Sequence, residues 1–401
     1  MREPYVFPLE ESPFSPDVPP LERRRRVLEA GADVVTDEHG AVIDFMSEVD
    51  VEGVLNDSRF AAVALPTLQL SGVESGPLWE LWTHLMFAKD AKEHKRIRGV
   101  VNREFTPKRI ERLRPDLERA ANELCDAIPV GETFDFWPAF AVPYAGRVAC
   151  RLVGIPDEDA GRATAWAFDL ARAFFPFMSA ERRARAERSA VEILDYMDAL
   201  LAARRAEPAD DLVSLLASES VVEGLSTDEI RALAANMVFA GLEATAKAVS
   251  TGAYVLVSHG KLAALAERPE AAVTAATEVL RLAPPAQNVA RLAADDMVCQ
   301  DVQLRAGQVA SANIVAACRD PKRYANPDEL DIDREPGKQL AFGAGAHYCL
   351  GAALARLGLG VAFQTLARRF PDLQLVGEDG GVEWDYEGFA GVVRLDCRTQ
   401  G

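Results

Sequence analysis

The sequence predicts a mainly α-helical fold with small β-sheets, and three observations carry that expectation. Apolar residues recur at helical spacing through the middle of the 401-residue chain, as in Leu194, Met197, Leu200 and Leu201 and again in Ile230, Leu233, Met237, Val238 and Leu242. Strand-like runs are confined to the margins, Ala41 to Phe45 after a His39-Gly40 turn and Val392 to Leu395 near the end. Between Pro284 and Ile332 the chain is punctuated by Pro284-Pro285, Gly307, Asp320-Pro321 and Asn326-Pro327, which reads as turns, short strands and an irregular loop.

Taken in order, a first helix begins near Pro20, and Arg23-Arg24-Arg25-Arg26 reads as its solvated face. A long helix is expected over residues 230–258. The punctuated segment follows, then a glycine-rich loop from Phe342 to Gly351. Ala352 to Arg369 has the alanine and leucine content of a good helix. No Pro/Gly/Ser-rich or highly charged linker divides the chain, which allows one large fold.

Composition narrows the function classes. With 49% hydrophobic and 26% charged residues the chain can bury a sizeable core. A formal charge of -18 argues against nucleic-acid or anionic-membrane binding, since both surfaces repel an acidic protein. No stretch reaches the roughly 18 to 20 apolar residues of a membrane helix, and MREPYVFPLEESPF lacks the charged-then-apolar order of a signal peptide, so a cytoplasmic protein is expected. The six cysteines are scattered without a C-x-x-C pair, which suggests neither a zinc site nor a disulfide framework.

One cysteine stands apart. In Phe342-Gly343-Ala344-Gly345-Ala346-His347-Tyr348-Cys349-Leu350-Gly351, two glycines permit the tight turn and close backbone approach that a flat ligand needs. A cysteine just before a helix gains backbone donors and the positive end of the helix dipole, both of which favour thiolate. An unpartnered thiolate is costly to bury, so a metal is its natural complement. By itself, a free cysteine is more often a small buried hydrophobe.

The loop matches F-G-x-G-x-H-x-C-x-G at every fixed position, and in this it resembles the cytochrome P450 family; Ala355-Arg356 downstream fits too. The resemblance spans about residues 20–396 and implies a single domain over 1–401 holding haem b, iron protoporphyrin IX, between the 230–258 helix and the helix after Cys349. It makes Cys349 the axial thiolate and metal ligand, packs Phe342 and Gly343 against the sulfur side, and turns His347 towards a haem propionate. Thiolate donation favours O–O cleavage, which suits oxygen activation.

Other segments support it. Glu278-Val279-Leu280-Arg281 resembles the family's E-x-x-R helix, a structural ion pair that the resemblance completes with Arg334. Arg291 lies in a segment similar to the strand that supplies a propionate ligand. His94 and Arg98, at i and i+4 on one helix face, are similar to the H-x-x-x-R helix that holds the other propionate. The family's Asp-Pro-Pro before that helix is replaced by Asp90-Ala91-Lys92. Residues 89–114 carry ten Lys/Arg against four acids, a basic island on an acidic chain. The family implies ferredoxin and ferredoxin reductase as electron donors, and such an island suits an acidic partner.

Ala240-Gly241-Leu242-Glu243-Ala244-Thr245 resembles the oxygen-activation helix, where Ala240 and Gly241 leave space for dioxygen and Glu243 relays protons. It also departs from it. The family's usual alcohol falls at position 244, which is alanine here, and Thr245 is turned about 100° away around the helix. Proton delivery then rests on a water held by Thr245 and Glu243, on a hydroxyl of the substrate, or on a reaction that needs little of it. The Arg-Pro pair of peroxide-driven relatives is absent. Substrate contacts are expected around Leu85 to Phe87, Phe174 to Phe177, Met237 to Ala244, Val289 and Phe389, with Met86, Phe87, Met237, Val289 and Phe389 foremost. The substrate is a small organic molecule, free or carrier- or peptide-bound. Monooxygenation in secondary metabolism is the leading reading. Oxidative aryl or phenol coupling and a non-catalytic haem sensor are the alternatives.

Overall fold

Ser226 opens the longest helix with a reciprocal cap: its hydroxyl accepts from the Glu229 amide while the Glu229 carboxylate accepts from the Ser226 amide. The helix then runs from Thr227 to Ser258, 32 residues or about 48 Å, and is apolar around most of its circumference because it is packed on nearly every side. Helices Val142–Val153 and Ala160–Ala171 lie against it.

The computed structural model describes residues 1–7, 20–37, 39–89, 91–335, 337–377 and 381–400. The chain divides into two compact units, residues 64–277 with 350–401, and residues 1–63 with 278–349. The first is almost wholly helical and holds the largest apolar core, from Leu68 and Trp82 through Ile193 and Met197 to Leu242. Its helices include Ala91–Val101, Ala180–Ala206 and Ala352–Arg369. A small antiparallel sheet of Thr133–Asp135, Gln374–Leu375, Val382–Asp385 and Gly391–Arg398 completes it.

The second unit is built on a six-stranded sheet in the order Tyr5–Phe7, Val34–Asp37, Val42–Phe45, Val309–Asn313, Asn288–Ala293, Phe60–Ala61. Val42–Phe45 runs parallel to Val309–Asn313, which pairs antiparallel with Asn288–Ala293 so that Arg291 lies opposite Ala310. The expected strands near 41–45 and 392–395 and the expected helices at 230–258 and 352–369 are all present. The punctuated segment supplies four short strands and the helical turn Ile314–Ala317. A first helix does start at Pro20, and Arg25 and Arg26 pair with Glu22 on it. The Arg23 and Arg24 side chains and Asp90 lie outside the described residues.

Candidate functional site

Between residues 232 and 253 the long helix is sealed except along one stripe. Met237, Ala240, Ala244 and Thr245 are only half-buried and Gly241 is exposed, in a stretch where Val238, Phe239, Leu242, Glu243 and Ala246 have no more than traces of accessible surface. At about 100° per residue the five open positions fall on one face. A Cβ placed on Gly241 would meet nothing within 4 Å. An open face of small and apolar side chains, midway along an otherwise packed helix, is a surface shaped for a ligand. Ala244 sits inside this stripe and Thr245 at its edge.

In the same unit, rings from four separate segments converge. Trp82 stacks on Phe239 at 5.5 Å between centroids, Phe87 meets Phe174 at 5.0 Å, and Phe389 meets Phe174 at 6.2 Å and Phe175 at 5.5 Å. Trp82 and Phe239 are core, whereas Phe87, Phe174 and Phe389 keep part of their surface accessible and Met86 is buried beside them. Phe177 departs from the expected Phe174 to Phe177 lining: it is 74% exposed at a positive φ, because the turn into helix Ala180–Ala206 carries its ring into solvent. His94 is buried at 3% exposure and Arg98 is half-buried one turn later on helix Ala91–Val101.

Glu243 is not on the open stripe. It is fully buried on a neighbouring face, with Oε1 2.8 Å from Lys247 Nζ and 3.2 Å from the Arg172 guanidinium, at ion-pair distance but outside hydrogen-bonding angles. Asp385 joins them, accepting from Lys247 at 2.8 Å and from Arg172 at 2.9 Å. Burial alone would raise the Asp385 carboxyl, but the two cations outweigh it and hold it below the usual carboxylate range. Two acids and two bases thus form a neutral buried set, in which deleting any one member is costly.

The other unit carries the cysteine loop. Gly343 and Gly345 adopt φ of 71° and 70°, a region closed to most side chains. Gly345 also lies against the Leu55 carbonyl, which a Cβ would approach to 2.7 Å, whereas the space above Gly343 is open. The turn is closed by the Cys349 amide donating to the Phe342 carbonyl at 2.9 Å. Cys349 and His347 are exposed and Phe342 is half-buried. The other five cysteines are all buried, and burial pushes the thiols of Cys125, Cys150, Cys318 and Cys397 up to about 12, which leaves them inert.

Strand Asn288–Ala293 of this unit presents Val289 and Arg291 on one face. Burial lowers the Arg291 guanidinium from its ordinary value, and no carboxylate pairs with it among the described residues; it donates only to the neighbouring Ala290 carbonyl at 3.0 Å. A desolvated cation in that state calls for an anion. Arg281, by contrast, is saturated. It donates twice to Glu278, at 2.7 and 2.8 Å, and to the carbonyls of Cys318, Pro327 and Glu329, while Arg334 donates to Glu278 at 3.0 Å. The ion pair expected from the E-x-x-R spacing is therefore formed, with Arg334 as its third member.

The model of the cytochrome P450 family matches residues 273–379, the stretch that holds both Glu278 and Cys349. The polyketide biosynthesis cytochrome P450 PksS of Bacillus subtilis is 35% identical over 302 residues, 75% of this chain and 73% of that protein. This chain belongs to the cytochrome P450 family. The mycinamicin IV hydroxylase/epoxidase of Micromonospora griseorubida is also 35% identical, over 84% of this P450 and 83% of its relative. The crystal structure of CalO2 superposes with a TM-score of 0.90 at 31% identity, covering 97% of this P450 and 99% of CalO2.

The P450 is an oxidoreductase whose cofactor is haem, which the family binds through a cysteine thiolate. The residues fit that group: an exposed cysteine in a glycine turn, a half-buried arginine with no carboxylate partner among the described residues, and an open stripe on the long helix. In the basic island several charges are spent internally, Arg96 on Glu93 and Glu229, Arg109 on Glu104 and Asp210, and Arg114 on Glu111. Lys92, Lys95, Arg103, Lys108 and Arg112 are exposed. No helix among the described residues is long and apolar enough to cross a membrane. Sequence reasoning missed Lys247, Arg172 and Asp385. The Glu243 to Lys247 spacing of four was a local signal for the first; nothing local pointed to the other two.

Proposed function

We propose that this P450, acting as one catalytic domain over residues 1–401 in the cytoplasm, inserts an oxygen atom from dioxygen into a small, largely apolar organic molecule of secondary metabolism. The observation that carries the reading is the open stripe of Met237, Ala240, Gly241, Ala244 and Thr245 on a helix whose middle is otherwise sealed. When bound, haem b supplies the oxidising chemistry. Cys349 holds the iron, with Phe342 and Gly343 beside its sulfur. Arg291, His347, His94 and Arg98 take the propionates, a role supported by the burial of His94 and the desolvation of Arg291. Ala240 and Gly241 keep room for dioxygen, and Met86, Phe87, Met237, Val289 and Phe389 orient and desolvate the substrate. Electrons arrive from a ferredoxin and its reductase, drawn by the exposed cations from Lys92 to Arg112. The named relatives of secondary metabolism support the substrate class. Turnover under isotopically labelled dioxygen tests the reaction: label in the product supports monooxygenation, and an unlabelled, dehydrogenated or joined product overturns it.

Arg291→Leu is expected to speed haem transfer to a competing apoprotein on the order of tenfold or more, the loss of one charge-assisted hydrogen bond. An unchanged transfer rate would show that Arg291 holds no propionate.

Oxidative coupling without oxygen insertion is the second reading, and Ala244 favours it. An alanine inside the open stripe holds no proton, Glu243 is tied to Lys247 and Arg172, and only Thr245 offers a hydroxyl at the stripe's edge. Ala244→Thr is expected to change the ratio of product formed to electrons consumed by severalfold, since a positioned proton donor contributes roughly 100-fold or more to a proton-dependent step. An unchanged ratio, measured from product and reductant together, would show that the wild type needs no special proton route.

A further inference from the structure

Lys247 is a charged residue with no accessible surface, and its position is determined by what it holds. Its ammonium donates to Asp385 Oδ2 at 2.8 Å and to the Phe389 carbonyl at 2.6 Å, and ion-pairs with Glu243 at 2.8 Å. Two hydrogen bonds and one ion pair thus hold the ammonium. Two of those acceptors belong to the hairpin between strands Val382–Asp385 and Gly391–Arg398. The hairpin backbone lies directly on this side chain: a Cβ on Gly391 would come within 2.5 Å of Lys247 Cβ. One turn further along the helix, Thr251 Oγ1 accepts from the Val392 amide at 3.0 Å in a buried bond. The second strand is thus held by Thr251 where it leaves the turn, and the turn itself by Lys247.

At the tip stands Phe389, whose ring meets Phe174 and Phe175. Arg172, just before those rings, is bound to the same Asp385. One charge set therefore ties together the hairpin tip, the Phe174–Phe175 segment and the helix face next to the open stripe, since Lys247 follows Ala240 by seven residues and Ala244 by three.

We propose that Lys247, with Asp385, is a positioning residue that fixes Phe389 as one wall of the substrate site, and so selects for bulky flat ligands over small ones. The inference rests on the haem-binding reading, because Lys247 belongs to the helix whose open stripe that reading assigns to the reaction. Lys247 touches neither substrate nor cofactor in this role; it acts through Phe389.

The test is optical titration of the holoprotein with two iron-binding probes, imidazole and 4-phenylimidazole, the second carrying a ring that the proposal sets against Phe389. Lys247→Met is expected to weaken 4-phenylimidazole about five- to tenfold while changing imidazole less than about twofold, as the loss of an aromatic contact dictates. Phe389→Ala should reproduce that selective loss. Asp385→Asn removes the charge of the same tie from the hairpin side at equal size and keeps the test decisive if Lys247→Met does not accumulate. Equal changes for both probes, or no change for either, overturn the proposal. A wild-type holoprotein that gives no imidazole spectrum overturns the haem reading itself, and this inference with it.

Discussion

Cys349→Ser is expected to abolish the red-shifted absorption of the reduced, carbon-monoxide-treated protein and with it all oxygenase turnover, while the fold survives. The shift reports sulfur donation to iron, and serine offers an oxygen that does not supply it. The fold should be spared because Cys349 is exposed and serine keeps its amide bond to the Phe342 carbonyl. Stability should change by less than about 1 kcal/mol, as for other exposed substitutions. The parallel variants Cys150→Ser and Cys318→Ser should do the reverse, keeping the band and losing stability, since those thiols are fully buried. A retained band in Cys349→Ser would place the ligand elsewhere.

The second large effect is on stability. Arg281→Ala is expected to cost about 3 to 5 kcal/mol, the range for breaking a buried ion pair, against a total margin of about 5 to 15 kcal/mol for an ordinary domain. The loss is large because Arg281 also satisfies the carbonyls of Cys318, Pro327 and Glu329, which hold the punctuated segment together. The same set gives an acid signature. Burial would raise the Glu278 carboxyl, but Arg281 and Arg334 outweigh it and hold it below its ordinary 4.5. A depressed carboxyl stabilises the fold above its unfolded value and loses that contribution as pH falls through the folded one. Wild-type denaturation midpoints should therefore drop below pH 4.5, and Glu278→Gln, already destabilised at neutral pH, should show a flatter acid limb. An Arg281→Ala protein within 1 kcal/mol of wild type would refute the structural role.

The parts of the site that were legible in the sequence are those whose chemistry is local. The glycine turn, Cys349 and the following helix occupy one short stretch, so spacing alone states the geometry. Glu278 and Arg281 share one helix face, as do His94 and Arg98, and the helical period reveals such pairs. The replacement of the stripe's alcohol by Ala244 was equally visible, because one residue type at one position decides it. What escaped was assembled from distant segments. Arg172, Lys247 and Asp385 are each ordinary surface-type residues by composition, and only burial and proximity make them, with Glu243, a neutral set. Phe174 to Phe177 read as one aromatic run, yet Phe177 leaves it because the backbone turns.

By itself the sequence determined the helical body, the marginal strands, the cysteine turn and the family, since each is written in periodicity, in turn residues or in a motif of contiguous positions. Only the tertiary structure decided which face of the long helix stays open, that Arg291 is desolvated with no carboxylate partner among the described residues, and that Lys247 holds the hairpin bearing Phe389. The reason is physical: burial and long-range pairing depend on which segments the folded chain brings together, and no local pattern encodes that distance.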